Sequence, residues 1–483
     1  MTNPATHDLW IGGEHVKPRS GKYFVDLNPV NDTPYFHAAE ATAEDVSQAV
    51  ETADRAWQSY RNVLAKDREA MLIKTSLLLE RDRQKFLDTL IDEGGSPIGK
   101  AMFEVEFSIG YLRAAAGACR RITGETLPSD VPGRFSMTVR EPLGVVAGVS
   151  PFNVPLLKNV KQIAMALATG NTIVLLPSEE APAIAYRIAA LFHEAGFPAG
   201  TVNVVTGNGA EIGDSLTGHE LVRMVTFTGS SRVGRHIAEL CARNFKKCTL
   251  ELGGKSPLVI LRDADLPAAV EAAVRGTFLY QGQACMASSR IFVERPIAEK
   301  VLAPLAGAAG SLPSGDLRDP RTVIGPIISP RQRTRVRLHI EDAVTKGATV
   351  RAGGTWNGNV CAATVLSGVQ PEMVVYAEET FGPVTSVYVV DSAEEALAKA
   401  NETKYGLSAA VFTSNIDRAL ELARGIRAGM VHINAPTLHD EPHAPFGGVG
   451  ISGMGREGVT ADIEAMTELK WITIQAKGAG PAH

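Results

Sequence analysis

The sequence predicts an α/β protein with two parallel-sheet domains and a small β extension. Its 483 residues exceed the roughly 250 to 300 residues that one hydrophobic core usually serves. Short apolar strands alternate with helical patterns across residues 143–249, and a second alternating series begins after residue 250. Alternation of this kind is typical of parallel, doubly wound sheets.

A helical layer precedes the first sheet. Behind Thr42, residues 42–60 repeat apolar side chains at helical spacing, and Asp45 follows three residues later as in a capping box. Two further helical patterns lie around residues 67–93 and 99–121. Proline and glycine in the next segment, "TGETLPSDVPG", end this layer.

The first alternating series predicts a Rossmann-type parallel sheet. Gly196 ends one of its helices, since glycine tolerates the left-handed conformation at a helix C-terminus. The predicted strands begin at residue 143 and continue with 172–176, 201–205 and 223–227, and the predicted helices cover 156–169, 183–195 and 209–217.

The second series predicts another α/β domain. It contains strands at 257–261, 290–294 and 384–390 and a helix around 266–281. Two more strands, at 133–141 and 468–475, belong to neither series, and we expect them to form an arm that pairs with another subunit. The expected division is therefore residues 1–122 with 143–249, then 250–448, with 123–142 and 449–483 as arm and tail.

Composition and charge favour a small-molecule partner. The formal net charge is -5, from 48 basic and 53 acidic residues, which gives no electrostatic footprint for nucleic acid or an anionic membrane. The five cysteines include no C-x-x-C pair, so neither a disulfide framework nor a zinc site is indicated. No secretory pattern opens the chain and no apolar stretch approaches about 18 residues, so we expect a soluble, cytoplasmic protein.

Four polar side chains are candidates for chemistry, and each has a plainer structural alternative. Cys285 in "YQGQACMASSR" is either a buried small hydrophobe or a nucleophile. Glu251 in "TLELGGKSP" is either a surface or capping carboxylate or a general base. Asn153 in "SPFNVP" either caps the next helix or donates to an oxyanion. Glu379 in "EETFGP" is either a solvated loop acid or a ligand clamp.

A glycine-containing turn follows the strand near residue 227. Gly229 and Gly234 in "TGSSRVG" lie where backbone amides and a helix N-terminus hold phosphate groups in many proteins. The spacing is not G-x-G-x-x-G, and a tight connection between strand and helix explains two glycines equally well. This turn alone leaves both interpretations open.

Together these segments resemble the aldehyde dehydrogenase superfamily over nearly the whole chain. Seven motifs occur in that family's order: "SPFNVP", "FTGSSRVG", "LELGGKSP", "QGQACMASSR", "EETFGP", "YGLSAAVFT" and "PFGGVGISGMGRE". The segment "HDEPH" is similar to the branch that oxidises benzaldehyde and vanillin. The resemblance implies a fold with a Rossmann-type NAD-binding domain, a second α/β catalytic domain and a small β oligomerisation arm.

The resemblance also implies a role for each candidate. Cys285 would attack the aldehyde carbon, and its backbone amide and the Asn153 amide would hold the oxyanion. The small Ala284 and Gly282 would leave space for that grip. After hydride transfer to the nicotinamide, water activated by Glu251 would hydrolyse the thioester.

A larger set of residues would bind the cofactor by the same resemblance. Glu379 would hold the nicotinamide ribose, Phe381 would pack near the ring, and Glu179 would accept hydrogen bonds from the adenosine ribose. The full expected set is Ser150, Pro151, Phe152, Ser178, Glu179, Gly209, Phe227, Gly229, Ser230, Val233, Leu252, Glu379 and Phe381.

Two departures from the family pattern affect the cofactor and the proton path. Leu176 stands where the family usually has the lysine of its "KPSE"-like segment, two residues before the serine, while Glu179 is kept. A 2′-phosphate would lose a cation and meet a carboxylate, so we expect NAD, with NADP as the alternative. Gln162 stands where many relatives have another lysine, and Lys158 and Lys161 lie on adjacent turns.

The substrate expected from the "HDEPH" segment is an aromatic aldehyde. The loop before "PFGG" carries no arginine or lysine to bind a carboxylate, so anionic semialdehydes are disfavoured unless Lys158 or Lys161 points into the tunnel. The expected tunnel residues are Val154, Leu157, Tyr280 and Met286.

Several alternatives remain open to experiment. They are an aliphatic or semialdehyde dehydrogenase, a CoA-acylating dehydrogenase, and a silent protein that keeps the fold for binding or structure. A metal enzyme built on the loop is disfavoured, because its cluster lacks a third positioned imidazole; that cluster is His439, Asp440, Glu441 and His443. A homodimer or homotetramer is expected from the family's pairing through an arm and a late strand.

Overall fold

Two large β-sheets organise the chain in this computed structural model, which describes residues 5–477. Residues 1–4 and 478–483, which fall in the expected first domain and tail, lie outside the described residues. The α-helices are Ala43–Tyr60, Ala65–Arg81, Arg83–Asp92, Ile98–Ala118, Pro155–Ala168, Pro182–Ala195, Gly209–Thr217, Ser231–Arg243, Leu266–Phe278, Ala298–Gly310, Pro330–Thr345, Val374–Ala377, Ala393–Ala400, Ile416–Gly425 and Val459–Ala465.

The first sheet has eight strands with a parallel centre. In spatial order they are Gly453–Met454, Lys247–Glu251, Val222–Thr228, Val145–Val149, Thr172–Leu176, Val202–Val204, Leu9–Ile11 and Glu14–Val16. The five strands from Lys247–Glu251 to Val202–Val204 run parallel, and each of the outer three runs antiparallel to its inner neighbour. The predicted doubly wound sheet is confirmed.

Local sequence explains where the helices around this sheet begin and end. Thr42 accepts from the amide of Asp45 while the Asp45 carboxylate accepts from the Thr42 amide, which is the predicted capping box. Gly196 is left-handed at φ 104° after helix Pro182–Ala195, as predicted. Helix Pro155–Ala168 is buried along its whole length, between the sheet and helix Ile98–Ala118.

The second sheet has seven strands and surrounds its own hydrophobic core. In spatial order they are Thr349–Ala352, Thr364–Ser367, Val384–Val390, Ser288–Glu294, Ser256–Ile260, Ser408–Phe412 and Met430–Ile433. All neighbours run parallel except the first pair. The prediction of a second parallel α/β unit is therefore also confirmed.

The predicted arm is a separate small sheet. Strand Thr467–Gln475 pairs antiparallel with Arg134–Pro142 over nine residue pairs, and Thr126–Leu127 adds a third strand. The two predicted segments thus pair with each other within one chain. The remaining small sheets are formed by Ala5–His7, Thr33–Ala39 and Tyr23–Asn28, and by Trp356–Asn357 with Val360–Cys361.

The structure moves several predicted boundaries. Strand Lys247–Glu251 belongs wholly to the first sheet, so the expected division at residue 250 cuts through it. Gly453–Met454 rejoins that sheet, and helix Val459–Ala465 contacts helix Ile98–Ala118, so these tail residues pack on the first unit. The helical pattern at 67–93 is two helices that meet at Asp82. The helix predicted to reach residue 281 ends at Phe278, two residues before a left-handed segment that begins at Tyr280.

Candidate active site

The predicted site residues meet where the two sheets face each other. Asn153 and Gly229 follow strands of the first sheet and Glu251 ends one, while Cys285 and Glu379 precede strands of the second sheet. The carboxyl ends of the first sheet therefore oppose the amino ends of the second. Ligands of open parallel sheets usually bind beyond the carboxyl ends of the strands.

The loop that carries Cys285 has an unusual backbone. Tyr280, Gln281 and Gly282 have consecutive positive φ angles of 51°, 53° and 65°. A non-glycine residue in this region costs about 1 to 3 kcal/mol, so the surroundings must hold it. Tyr280 donates its hydroxyl to the Gly94 carbonyl at 2.8 Å, and the Gln281 side-chain amide donates to the Pro326 carbonyl at 3.0 Å. These bonds fix the loop that presents the thiol.

A glycine is needed at position 282 for a different reason from the one expected. A Cβ atom there would overlap the Gly382 carbonyl, and φ is left-handed. The glycine therefore permits close approach of two backbones, which the interpretation as space for the oxyanion grip did not anticipate.

Asn153 reaches directly to the cysteine loop. Its side-chain amide donates to the Gln283 carbonyl at 3.0 Å, two residues before Cys285. The N-cap of the following helix is Val154, without a side-chain capping bond, so Asn153 does not serve as that cap. Since an amide carries two N–H groups, one remains for an oxyanion beside the thiol.

Glu251 is a buried acid. Its side chain is 3% exposed, and neither carboxylate oxygen finds a hydrogen-bond partner within residues 5–477. Burial raises the pKa of Glu251 well above its usual range, and the nearby Glu457 carboxylate raises it further. Gly447 makes room for this side chain, because a Cβ atom there would lie 2.5 Å from Oε1. A surface or capping role for Glu251 does not agree with this position.

Burial and neighbouring acids favour the protonated form of the Cys285 thiol. Burial raises the pKa of Cys285 to about 12, while Lys158 opposes the change and the carboxylates of Glu379 and Glu251 add to it. Thiolate formation therefore needs a nearby positive charge or a base. Within the protein, Lys158 is the cation whose charge lowers the pKa of Cys285.

The lysines on helix Pro155–Ala168 are both paired with acids. Lys158 Nζ lies 2.6 Å from Glu457 Oε2, and Lys161 Nζ lies 2.6 Å from Asp440 Oδ2 and 3.5 Å from Glu457 Oε2. Gln162 instead donates to the Val149 carbonyl at 3.2 Å and packs beneath the sheet. Both lysine charges are therefore already compensated, which disfavours binding of a substrate carboxylate.

The Gly253–Gly254 pair and Glu379 form a cradle. Glu379 Oε1 accepts from the Gly254 amide at 2.9 Å, and a Cβ atom at Gly253 would overlap the Glu379 carboxylate. Burial raises the pKa of Glu379 to about 7 although the Gly254 amide lowers it. Phe381, at φ 56°, contacts Phe152 edge-on with the ring centres 5.7 Å apart. These predicted cofactor residues are therefore neighbours.

The glycines of the "TGSSRVG" turn serve packing first. A Cβ atom on Gly229 would lie 2.5 Å from the Phe227 ring, and one on Gly234 would overlap Leu252. The Gly229 amide already donates to the Glu251 carbonyl at 3.0 Å, so this N–H is not available to a pyrophosphate. Helix Ser231–Arg243, capped by Ser230, begins beside these residues.

Further predicted contacts lie along the same edge of the first sheet. Glu179 Oε1 accepts from the Gly209 amide at 2.7 Å, at the start of helix Gly209–Thr217. The hydroxyls of Ser150 and Thr228 are buried and unpaired within the described chain. Unpaired hydroxyls, a glycine cradle and a helix N-terminus together fit a nicotinamide dinucleotide. The remaining members of the predicted set lie on this edge or on the helices that follow it: Pro151, Ser178 and Val233.

The expected tunnel residues do not share one environment. Val154 and Leu157 lie at the start of helix Pro155–Ala168, and Met286 directly follows the cysteine. Tyr280 differs from the prediction: its hydroxyl is bound to Gly94 and its ring lies 4.1 Å from Lys100 Nζ. Its side chain is used to hold the loop, because the left-handed backbone turns it toward the helical layer.

The residues of the "HDEPH" loop make two separate sets of contacts. Asp440 turns to Lys161, whereas His439 and His443 lie 3.0 Å and 3.5 Å from the Glu441 carboxylate. Within residues 5–477, no group of three or more histidine, cysteine, aspartate or glutamate side chains is placed to hold a metal ion. No helix of that described part is long and apolar enough to cross a membrane.

This geometry agrees with comparisons of the chain with known proteins. The profile described as "Aldehyde dehydrogenase family" matches residues 15–472. The chain belongs to the aldehyde dehydrogenase family. It is 41% identical over 478 residues to a vanillin dehydrogenase of Pseudomonas fluorescens, with 98% of each chain covered. It is also 40% identical to a Pseudomonas putida protein named benzaldehyde dehydrogenase [NAD(+)], with 99% of each chain covered.

Solved aldehyde dehydrogenase structures share the fold. The salicylaldehyde dehydrogenase of Pseudomonas putida G7, solved with salicylaldehyde, superimposes with a TM-score of 0.95 at 37% identity and covers all of both chains. The predicted family and fold are thereby confirmed, and the chain is an oxidoreductase of aldehydes.

Two functional candidates of this dehydrogenase were missed by the sequence reasoning. Glu457 lies in the quoted motif "GMGRE" but received no role, although it pairs with Lys158 across 299 residues of sequence. Phe446, in "PFGG", also received no role, although its ring centre lies 5.0 Å from Lys158 Nζ. The only signal in the sequence was their position inside a family motif.

Proposed function

We propose that this enzyme oxidises an aromatic aldehyde to its carboxylic acid with NAD+, through a thioester on Cys285. The convergence of three groups carries the proposal: the Cys285 loop, the Asn153 amide bound to it, and the buried Glu251, whose carboxylate is unpaired within residues 5–477. Nucleophile, oxyanion donor and base are the parts that acyl transfer through cysteine requires.

In the first stage, the chain's own groups favour attack by sulfur. Lys158 opposes the effect of burial on Cys285, and the strained loop holds the sulfur in place. As the thiolate adds to the carbonyl, the backbone N–H of Cys285 and the free N–H of Asn153 stabilise the negative oxygen. NAD+, when bound, supplies the acceptor for the hydride that leaves the tetrahedral carbon.

In the second stage, Glu251 acts as base. Its burial favours the protonated form, so as a carboxylate it takes a proton from water readily. The hydroxide equivalent adds to the thioester carbon, the C–S bond breaks, and the carboxylic acid leaves with Cys285 restored. Gly447 leaves the space that the Glu251 carboxylate occupies.

The preference for an aromatic aldehyde rests on three observations. Relatives covering almost the whole chain are named for vanillin, benzaldehyde and salicylaldehyde. Met286 directly follows Cys285, and Val154 and Leu157 follow Asn153, whose amide binds the cysteine loop, so apolar residues flank both parts of the site. Lys158 and Lys161 are neutralised by Glu457 and Asp440, which disfavours a substrate carboxylate.

An aldehyde panel tests the assignment. We expect benzaldehyde, vanillin and salicylaldehyde to give a higher kcat/KM than hexanal or succinic semialdehyde, and the acid to form without added CoA. Faster turnover of hexanal or succinic semialdehyde would contradict the aromatic assignment. NADH formation by the Cys285→Ala variant at the wild-type rate would contradict the mechanism.

NAD+ rather than NADP+ is our proposed cofactor. Glu179 is held by the Gly209 amide at the edge where the adenosine ribose would lie, and Leu176 places no cation there. A 2′-phosphate would therefore meet a carboxylate without compensation. Relative kcat/KM values for the two cofactors test this choice.

Self-association through the arm sheet is also proposed. Its strands expose large apolar side chains on both faces, with Trp471 68% exposed, and such patches usually mark interfaces. The others are Leu127, Phe135, Leu469 and Ile474. Light scattering should give a dimer or tetramer, and a Trp471→Ser, Ile474→Ser variant should shift it toward monomer.

A further inference from the structure

A buried ion pair lies behind the proposed nucleophile and base. Lys158 Nζ and Glu457 Oε2 are 2.6 Å apart, and both side chains are at least nine-tenths buried. Glu457 Oε1 has no hydrogen-bond partner within the described chain. Buried pairs of this kind often cost stability compared with apolar packing, so their presence here calls for a functional reason.

The pair is connected to Glu251 through the Phe446–Gly447 segment. Glu457 and Phe446 exchange two backbone hydrogen bonds of 2.8 Å and 2.9 Å. Gly447, the next residue, leaves the space that Glu251 Oε1 occupies. Lys158 Nζ lies 5.0 Å from the centre of the Phe446 ring. The ion pair and the base therefore share one wall.

The pair is connected to Cys285 through helix Pro155–Ala168. That helix begins two residues after Asn153, whose amide is bound to the cysteine loop, and Lys158 lies on its first turn. Gln162, one turn further on, is neutral and bound to strand carbonyls. The positive charge therefore comes from Lys158 on the first turn, since Gln162 carries none.

Different sets of charged groups surround Glu251 and Cys285, but Lys158 belongs to both sets. Glu251 faces the Glu457 carboxylate, which raises its pKa, and the cations Lys158, Lys161 and Arg456, which lower it. The thiol of Cys285 faces one of these cations, Lys158, which lowers its pKa, and three carboxylates that raise it: Glu379, Glu251 and Glu457. Lys158 thus acts on both reactive groups.

Lys161 is the internal comparison. It lies one helical turn beyond Lys158 and is bound chiefly to Asp440, with Asp462 and the ring of Tyr111 also close. Burial opposes its charge, but Asp440 and Glu457 outweigh burial and raise the pKa of Lys161. Its charge is compensated by this acidic group.

We propose that Lys158, held by Glu457, is a positioning residue that supplies the positive charge favouring the Cys285 thiolate and the Glu251 carboxylate. Glu457 keeps Lys158 in place and moderates its effect. The inference rests on the proposed roles of Cys285 and Glu251. It places the activating positive charge at Lys158, on the first turn of helix Pro155–Ala168.

The alkylation rate of Cys285 tests the proposal without turnover. The purified protein is treated with iodoacetamide at pH 8, and the peptide that contains Cys285 is followed by mass spectrometry. When the pKa of a thiol lies above the assay pH, raising that pKa by about 1 lowers the thiolate fraction about tenfold. The accompanying gain in thiolate nucleophilicity offsets part of this loss, which leaves a change of about threefold in rate. An opposite charge nearby changes a pKa by about 1 to 3.

Opposite signs are the expected result. Lys158→Met should slow alkylation at least about threefold, because the carboxylates remain without the cation. Glu457→Gln should accelerate it by a similar factor, because Lys158 then acts without compensation. Lys158→Arg should restore the wild-type rate, and Lys161→Met should change the rate less than Lys158→Met does.

The pH dependence of deacylation provides the second readout. The rise of the single-turnover rate with pH should move to higher pH in Lys158→Met and to lower pH in Glu457→Gln, by about 1 on the pH scale in each case. The double variant Lys158→Met, Glu457→Gln removes both charges, so its values should return toward wild type. Should Glu457→Gln fail to fold, the double variant and Lys158→Met decide the question.

The outcomes separate this inference from the proposed function. Unchanged alkylation in Lys158→Met, or a change of both single variants in the same direction, would overturn the role of Lys158. Full turnover by Cys285→Ala would overturn the proposed function instead, whatever the alkylation rates show.

Discussion

Replacing Asn153 separates a catalytic contribution from a structural one. In the structure its amide makes one hydrogen bond, to the Gln283 carbonyl at 3.0 Å, and the side chain is buried. The loss of such a bond typically costs about 1 kcal/mol of stability. The loss of an oxyanion donor costs about 2.7 to 4 kcal/mol of barrier, a factor of about a hundred to a thousand in kcat.

The Asn153→Ala variant should therefore lose far more activity than stability. We expect kcat, followed by NADH absorbance, to fall about a hundredfold or more, while the free energy of unfolding falls by about 1 kcal/mol. Asn153→Asp keeps the size but cannot donate, and should lose comparable activity. A decrease in kcat below tenfold in both variants would refute the oxyanion role.

Three further predictions follow from the same contacts. Gly447→Ala should reduce deacylation strongly at nearly unchanged NAD+ affinity, since the new Cβ would contact Glu251; normal thioester hydrolysis would show that Glu251 can move away. Glu179→Gln should narrow the preference for NAD+ over NADP+, measured as the ratio of kcat/KM values, and an unchanged ratio would remove Glu179 from cofactor choice. The pKa of Glu379 is about 7 in the folded chain and near 4.5 when unfolded, so its contribution to stability is complete below pH 4.5 and lost as pH rises to about 7. The Glu379→Gln variant should accordingly gain free energy of unfolding in urea relative to wild type as the pH rises from about 4.5 to about 7. A gain confined to lower pH would contradict the expected direction of the pKa change.

Local signals in the sequence were sufficient for much of the fold. The capping box at Thr42 and the left-handed Gly196 depend on residues within one helical turn, so their chemistry can be read from the sequence directly. The seven strands predicted for the two sheets lie within a few residues of observed strands for the same reason, because buried parallel strands are short apolar runs.

Partners distant in sequence account for most of what was missed. Strand Lys247–Glu251 reads KCTLE, and nothing in its residues says which sheet it joins. Tyr280 looks like a tunnel aromatic until its left-handed backbone directs the hydroxyl to Gly94, 186 residues away. The pairing of Lys158 with Glu457 likewise exists only after the chain has folded.

The site itself was predicted from motifs, and the structure supplied their physical reasons. Asn153, Glu251 and Cys285 were named together, but the contact of Asn153 with Gln283 and the burial of Glu251 depend on the meeting of two sheets. The glycine turn at Gly229 is the reverse case, because its amide binds the Glu251 carbonyl, which agrees with the plainer interpretation as a tight connection between strand and helix.

Covalent attachment of the substrate to sulfur is the central claim, and intact-protein mass spectrometry tests it most directly. The Glu251→Gln variant should acylate normally and deacylate slowly, so mixing it with benzaldehyde and NAD+ should add one benzoyl group, located at Cys285 by peptide mapping. The same variant without NAD+ should give no stable adduct. An unmodified Cys285 peptide in a variant that still produces a burst of NADH would contradict the account.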